Sequence, residues 1–450
     1  MFFDQALTTL VQQAGAQPDR LYEHYAALLS DIEQRDATLQ SFCGISRVWL
    51  SGELDRLSAA RDKGGLFSVP VGVKDTLVVS GLPTKAGTPV DVGRMLRLPQ
   101  SPAVTRLQEA GAVILAKQET HQFCSSAGPA ATRSVRGADY YAGGSTVGGA
   151  VAVAAGFTRL ALGSDAAGSI RHPAALAGIA GLRPRKGVLS DGGQVNGELS
   201  GQSTGLIARS AEDIALVFER CPALFSTPSD RALVDRERLT IGIPEVAWVN
   251  IDPAAASALR FAVARLTEAG HEVVPTSLWQ TVDAMADFFL VMNHENWLFH
   301  RRLIADHAEI YHPDVLPVMR TGAAIAPEEA AAARHRLAER QRRFLDQANA
   351  EGLDMLLTPS IPWPDMRKDA GPPRTLSAEG GRFTAISNIY DLDSLTVPTE
   401  QGPGGWARSV MLHGLSIPLS RLLACARAVE LDRSLPGKHM EGKDTPCRIS

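Results

Sequence analysis

The 450-residue sequence predicts an α/β fold, a β-sheet covered by helices within one large domain. Three observations predict it. Amphipathic helices followed by short apolar strands recur along the chain. The composition is that of a globular protein, with 45% hydrophobic and 21% charged residues. No internal repeat, low-complexity tract or linker divides the sequence, so we expect a single packed unit.

The first elements are helical. In segment 1–60 apolar residues recur at helical spacing, and Gly and Pro are sparse before Gly64. The character then changes, because Val69–Val73 and Val78–Val79 are typical of short strands and are followed by turn residues.

Three units of helix followed by strand come next. Glycine after each helix and an N-cap Asp252 before Pro253 mark their boundaries. The predicted units are a helix from 103 ending at Gly111 with a strand at 113–115, a helix ending at Ala269 with a strand at 272–274, and a charged helix over 327–352 with a strand at 354–358. We interpret the charges of the last helix as a solvated face.

Charge and cysteine content exclude several classes of function. Lys and Arg total 45 against 49 Asp and Glu, a net charge of −4, which disfavours a nucleic-acid or anionic-lipid partner. The cysteines are scattered, odd in number and without a CxxC pair, as in a reducing compartment: Cys43, Cys124, Cys221, Cys425 and Cys447. No basic leader or long apolar run is evident. We therefore expect a soluble, cytoplasmic protein without membrane contact.

Two short motifs carry little weight. Gly201–Gly205 has the letters GxSxG, but no apolar strand leads into it, so Ser203 is expected to be a loop serine. His294 and His300 lie six residues apart and cannot face one metal from one helix. We expect core or surface histidines, no metal site and no cofactor.

The glycine- and serine-rich region between 143 and 173 is more informative. Ser145 and Ser169 each follow a glycine, and glycine loops let backbone N–H groups converge on a developing anion. Taken alone, these loops favour tight turns between packed elements, and Lys74 at the end of an apolar strand favours an exposed salt bridge.

Taken together, the motifs resemble the amidase signature family. They are Gly72–Asp75, Gly143–Ser145, Gly163–Asp165 and Gly168–Ala174, in the order in which that family has them. Further matches are Ala110–Lys117, Gly181–Pro184, Ala208–Asp213, Leu357–Ser360 and Phe383 to Pro398, so the resemblance covers roughly residues 60 to 430.

The resemblance implies an amide-hydrolysing enzyme with a mixed central sheet and helices on both faces. It divides the chain into a helical N-terminal segment 1–60, a catalytic domain 61–433 with a variable pocket segment at about 240–350, and a polar tail 434–450. It implies no cofactor. A homodimer stays open.

The resemblance also implies site residues. Ser169 would be the nucleophile, Ser145 a relay serine preceded by a cis peptide, and Lys74 the base. A serine hydroxyl needs such a base, and a lysine must be desolvated to act as one. Backbone N–H groups of Ala166, Ala167, Gly168 and Ser169 would form the oxyanion hole. Phe123, Cys124 and Ser125 would bind substrate.

The chain departs from the family pattern around these residues. Thr146, Val147 and Gly149 stand where the relay loop usually has Ser, Gly and Ser. Ala166 and Ala167 replace Thr and Gly before the nucleophile, and Gln122 replaces a Glu. These changes affect the expected substrate geometry rather than the three catalytic residues.

The sequence does not identify the substrate. The pocket is expected from segments 122–126, 276–312 and 401–413, and the aromatic candidates are Phe123, Trp279, Phe288, Phe289, Trp297 and Trp406, each of which also suits an ordinary core position. The leading hypothesis is hydrolysis of a small soluble amide through an acyl-serine. The alternatives are a glutaminase subunit that passes ammonia to a partner, and a non-catalytic scaffold.

Overall fold

The computed structural model describes residues 2–60, 63–197, 199–226, 233–279, 282–368, 380–401 and 406–431. The polar tail predicted at 434–450, together with Cys447, lies outside these residues. In the described ranges, no helix combines the length and apolar character needed to cross a membrane.

The helices and strands alternate along most of the chain. The helices are α1 Leu7–Ala16, α2 Leu21–Leu39, α3 Arg47–Ala59, α4 Val92–Met95, α5 Pro102–Glu109, α6 Val147–Ala154, α7 Arg171–Ala177, α8 Ala211–Arg220, α9 Pro253–Glu268, α10 Val282–His307, α11 Val315–Arg320, α12 Pro327–Ala350, α13 Arg382–Ile389 and α14 Leu419–Val429. The strands are β1 Pro70–Lys74, β2 Val113–Gln118, β3 Leu160–Asp165, β4 Ala180–Arg183, β5 Ser203–Ala208, β6 Thr240–Pro244, β7 Glu272–Thr276, β8 Met355–Pro359, β9 Asp393–Gln401 and β10 Ala407–Gly414.

All ten strands form one sheet in the order β2-β1-β3-β5-β4-β9-β10-β8-β6-β7. The sheet is mixed: β1 is parallel to β2 and β3, whereas β5 is antiparallel to β3 and β4. Helices flank it, and their apolar faces join the inward residues of the strands in one main core cluster. The predicted α/β class, with one large mixed sheet, is confirmed.

Local sequence explains where the helices begin. The Asp252 side chain accepts a hydrogen bond from the Ala254 N–H (2.8 Å) and Pro253 opens α9, as its fixed φ suits a first turn. The Ser210 hydroxyl caps α8 in the same way by accepting from the Asp213 N–H (3.0 Å).

Two local predictions are wrong. Val78–Val79 is not a strand. The Val78 N–H donates to the Gly193 carbonyl and the Val78 carbonyl accepts from the Ser101 N–H, so the backbone of Val78 is hydrogen-bonded to loops and not to a neighbouring strand. Ser203 is not in a loop but begins β5, fully buried, with its hydroxyl donating to the Pro184 carbonyl (2.7 Å). Buried valines predict burial, but a strand also needs a partner ladder that a local pattern does not reveal.

Candidate active site

Lys74 ends β1 and is fully buried. Its Nζ donates to the Ser145 hydroxyl (2.8 Å), to the Ser164 hydroxyl (3.1 Å) and to the Ser164 carbonyl (3.3 Å). Ser164 is close because β3, which carries it, pairs in parallel with β1 and brings the carboxyl ends of both strands to one edge. These three acceptors are neutral hydroxyl and carbonyl oxygens.

Ser145 lies in the loop before α6 and is almost completely buried. The peptide bond between Gly144 and Ser145 is cis, as the family resemblance implies. The Thr120 hydroxyl donates to the Ser145 carbonyl (2.9 Å), and the Thr146 N–H donates to the Ser169 carbonyl (3.0 Å). The backbone of the relay loop is thus bonded directly to the loop that carries Ser169.

The departures in the relay loop fit this geometry. Val147 opens α6 with helical backbone, so the position does not require glycine's freedom. Gly143 does require it, since φ is +83° and an added Cβ would lie 2.6 Å from the Pro173 Cα.

Ser169 lies between β3 and α7, half-buried, and lines a cavity of about 390 Å³ together with Ser145. Its hydroxyl makes no hydrogen bond with the described residues. The structure therefore brings Lys74 and Ser145 into direct contact and places Ser169 on the same cavity, without a hydrogen bond between the two serines. Catalytic hydrogen bonds are often long before substrate binds.

A buried network fixes the Ser169 loop. Arg171 donates twice to the Asp165 carboxylate (2.8 and 3.0 Å), which also accepts from the backbone N–H groups of Gly168 and Ile170. The Asn388 side chain joins both charged groups. Burial opposes the charge of Asp165, but the Arg171 guanidinium outweighs it and holds the pKa of this carboxyl well below its ordinary value. The buried ion pair of Asp165 and Arg171 therefore holds the loop that carries Ser169 in place.

The expected oxyanion hole needs one correction. The Gly168 N–H donates to Asp165 (2.7 Å) and is not free to meet a substrate oxygen. In the described chain, the N–H groups of Ala166, Ala167 and Ser169 have no hydrogen-bond partner. Gly168 has a backbone role instead: its φ is +116°, and a Cβ there would lie 2.6 Å from the Thr384 hydroxyl.

The cavity brings together part of the predicted pocket. Phe123, Cys124 and Ser125 all line it, and so does one face of α10, with Met285, Phe289, Met292, Asn293 and Asn296. None of the described residues of segment 401–413 lines it. Of the other aromatic candidates, Trp279, Phe288 and Trp297 pack in hydrophobic clusters and Trp406 lies beside Arg136.

Gln122, which replaces the usual Glu, stabilises the cavity wall through two hydrogen bonds. Its side-chain oxygen accepts from the His312 N–H (2.7 Å) and its NH2 donates to the Ile310 carbonyl (3.0 Å). It therefore ties the Phe123 loop to the chain that follows α10.

Two histidines on the cavity wall are neutral near pH 7. Burial, and then the charge of Lys74, lower the pKa of His121 to about 4. Burial, and then Arg171, do the same for His172, whose pKa is also about 4. The His121 ring packs against Gly144, where an added Cβ would lie 2.5 Å from the ring. Lys74 also affects Cys124: burial raises the pKa of this thiol, but the Lys74 charge lowers it and the net direction is downward.

Sequence reasoning missed several residues of the site. Ser164 belongs to the Gly163–Asp165 motif, but the sequence alone does not predict its contact with Lys74. That contact depends on the pairing of β1 with β3. His121, directly before Gln122, and Asn196 on the cavity wall were not singled out. His294 and His300 are buried, and the described residues contain no group of three or more His, Cys, Asp or Glu side chains that could hold a metal.

Known proteins match this chain over most of its length. The family model described as Amidase matches residues 25–417. An amidase from Pseudomonas putida is 30% identical over 407 residues, 85% of each chain. A glutamyl-tRNA(Gln) amidotransferase subunit from Roseiflexus castenholzii is 35% identical over 285 residues, 59% of this chain and 58% of that protein.

Among solved structures, 6-aminohexanoate cyclic dimer hydrolase in complex with its substrate superposes with a TM-score of 0.82 at 19% identity, over 95% of this chain and 96% of that one. A structure described as an amidase gives a TM-score of 0.79 at 24% identity, over 94% and 99%. At these identities the likeness concerns the fold.

Proposed function

The chain belongs to the amidase family and is an amide-hydrolysing enzyme, and from this premise we propose that it cleaves small uncharged amides through an acyl intermediate on Ser169. The observation that carries the proposal is the buried Lys74 amine, hydrogen-bonded to Ser145 and Ser164 without a carboxylate, beside the cavity that Ser169 lines.

The chemistry follows from these positions. Once deprotonated, Lys74 accepts a proton from Ser145, which takes one from Ser169 as the Ser169 oxygen attacks the amide carbonyl. The free N–H groups of Ala166, Ala167 and Ser169 stabilise the oxyanion. The proton returns through Ser145 to the leaving nitrogen, the C–N bond breaks, and water then hydrolyses the acyl-serine.

The lining of the cavity supports an uncharged substrate. Its described residues include apolar side chains, amides, hydroxyls and the two neutral histidines, but no Asp, Glu, Lys or Arg. Glutamine carries an ammonium and a carboxylate, and burying either without a partner is costly. Hydrolysis of a neutral amide is therefore favoured over a glutaminase that feeds ammonia to a partner, and intact Lys74, Ser145 and Ser169 weigh against a non-catalytic scaffold.

Covalent labelling tests this proposal. A fluorophosphonate should phosphonylate Ser169, whose oxygen displaces fluoride, and peptide mass spectrometry should locate the adduct there. Ser169→Ala should lose both labelling and turnover, while Ser203→Ala, which removes the GxSxG hydroxyl, should still be labelled. A neutral amide should protect the enzyme from labelling at concentrations where glutamine does not. Labelling of the Ser169→Ala variant would contradict the proposal.

A further inference from the structure

Asn196, on the cavity wall, has an unsatisfied buried polar atom. Asn196 is only 3% exposed, and its side-chain oxygen has no hydrogen-bond partner within the described chain. A buried carbonyl oxygen without a donor is costly, and natural structures rarely leave one without a reason. Asn196 lines the same cavity as Ser169.

The other end of the Asn196 amide is held in place. Its NH2 donates to the Nε2 of His300 (3.1 Å) and lies 3.4 Å from the Asn296 side-chain oxygen. The Nδ1 of His300 bonds the Tyr311 hydroxyl (2.8 Å), and burial lowers the pKa of His300 to about 3, so the ring is neutral and carries one hydrogen. In the tautomer that has this hydrogen on Nδ1 and donates it to the Tyr311 oxygen, Nε2 accepts from the Asn196 NH2. These hydrogen bonds fix the orientation of the Asn196 amide and leave its side-chain oxygen without a donor.

Asn196 sits on the α10 side of the cavity, because Asn296 and His300 both belong to α10. The wall there combines the apolar side chains of Phe289 and Met292 with the amides of Asn293 and Asn296. A bound molecule that reaches this wall meets a partly hydrophobic surface on which the Asn196 oxygen is a fixed acceptor without a protein donor.

We infer that Asn196 determines specificity by accepting a hydrogen bond from a second N–H or O–H donor on the substrate, separate from the scissile amide. This rests on the proposed function and names the substrate class: an uncharged amide with an apolar body that carries one further donor. A site built around a buried acceptor discriminates against an analogue that lacks the donor, since the acceptor is then buried unpaired.

The test uses pairs of 3-phenylpropanamides that carry a hydroxyl or a fluorine at the ortho, meta or para position. The two substituents are similar in size, but only the hydroxyl donates. At one position the wild type should favour the hydroxyl compound by about ten- to a hundredfold in kcat/KM. Protection from fluorophosphonate labelling should show the same preference, which gives a readout independent of turnover.

Variants assign the effect to Asn196. Its φ is +62°, which glycine adopts without strain and Asp tolerates, so both variants keep the backbone. Asn196→Gly should reduce the hydroxyl-to-fluorine ratio to about 1, whereas Asn196→Asp, which keeps an acceptor, should preserve the hydroxyl preference. Asn293→Ala, which removes the amide of a half-buried side chain on the same wall, should leave the ratio as in the wild type.

The outcomes separate this inference from the proposed function. No hydroxyl preference at any position, a preference for fluorine, an unchanged ratio in Asn196→Gly, or no protection by any of the amides would overturn the inference while Ser169 is still labelled. Absence of labelling at Ser169 would overturn the proposed function itself.

Discussion

Two buried lysines at the ends of neighbouring parallel strands have very different surroundings. Lys74 ends β1 and Lys117 lies near the end of β2, in register with the residue before Lys74. Lys117 donates to the Asp75 carboxylate (3.0 Å), the Thr84 hydroxyl (2.7 Å) and the Pro83 carbonyl (3.4 Å). Lys74 donates to Ser145 and Ser164 and lies beside the Cys124 thiol, and no carboxylate accepts from it within the described residues.

Buried lysine therefore serves two purposes in this protein, a structural one and a chemical one. A buried carboxylate favours the charged form of an ammonium, and the hydrogen bonds of Lys117 tie β2 to the loop after β1. Burial still outweighs Asp75 and lowers the pKa of Lys117. An amine that is hydrogen-bonded to a hydroxyl, with no carboxylate beside it, can take up the proton of that hydroxyl, which is what a base requires. We therefore assign a structural role to Lys117 and a role as the base to Lys74.

The largest expected effect is on activity. Lys74→Met should lower kcat/KM by about 10⁴-fold, because the general base is lost, while the free energy of unfolding changes little since no buried counter-ion is left behind. Steady-state kinetics and chemical denaturation of the same preparation measure both. Activity within tenfold of the wild type would make Lys74 a structural lysine.

Lys117→Met should act on stability instead. It leaves Asp75 buried and unpaired, so the free energy of unfolding should fall by about 3–5 kcal/mol. The double variant Lys117→Met/Asp75→Asn should recover part of that loss, because the stranded charge is removed. Urea denaturation measures all three proteins; a single variant as stable as the wild type would show that the pair contributes nothing.

The smallest expected effect concerns His121, which senses the charge of Lys74. Its pKa of about 4 should rise in Lys74→Met, whereas that of His172, lowered by burial and Arg171, should stay. NMR titration of the ring protons measures both. A rise in both or in neither would contradict the assigned causes.

The same histidines give a pH dependence of stability. Their pKa lies below the ordinary 6.5, so between pH 6.5 and 4 the unfolded chain binds more protons than the folded one. Stability should therefore fall as the pH falls through this window, by at most ~1.4 kcal/mol per pH unit for each histidine. Thermal unfolding at a series of pH values follows the trend.

The sequence predicted the fold class because helix and strand periodicity, caps and composition are local properties. Lys74, Ser145 and Ser169 were found through motifs whose order along the chain is itself a signal. Ser164 beside Lys74 depends on which strands pair, and the Asp165–Arg171–Asn388 network joins residues more than 200 positions apart. Such long-range contacts leave no local pattern, and the same holds for the orientation of Asn196 by α10.

The central claim is that Lys74 and Ser145 act as one proton-transfer unit for Ser169. It is tested most directly by the kcat/KM values of Lys74→Met, Ser145→Ala and the double variant, measured on one neutral amide. Residues that act as a unit are strongly non-additive. We predict that the double variant is no more than about tenfold worse than the poorer single variant. A loss equal to the product of the two single losses would contradict the claim.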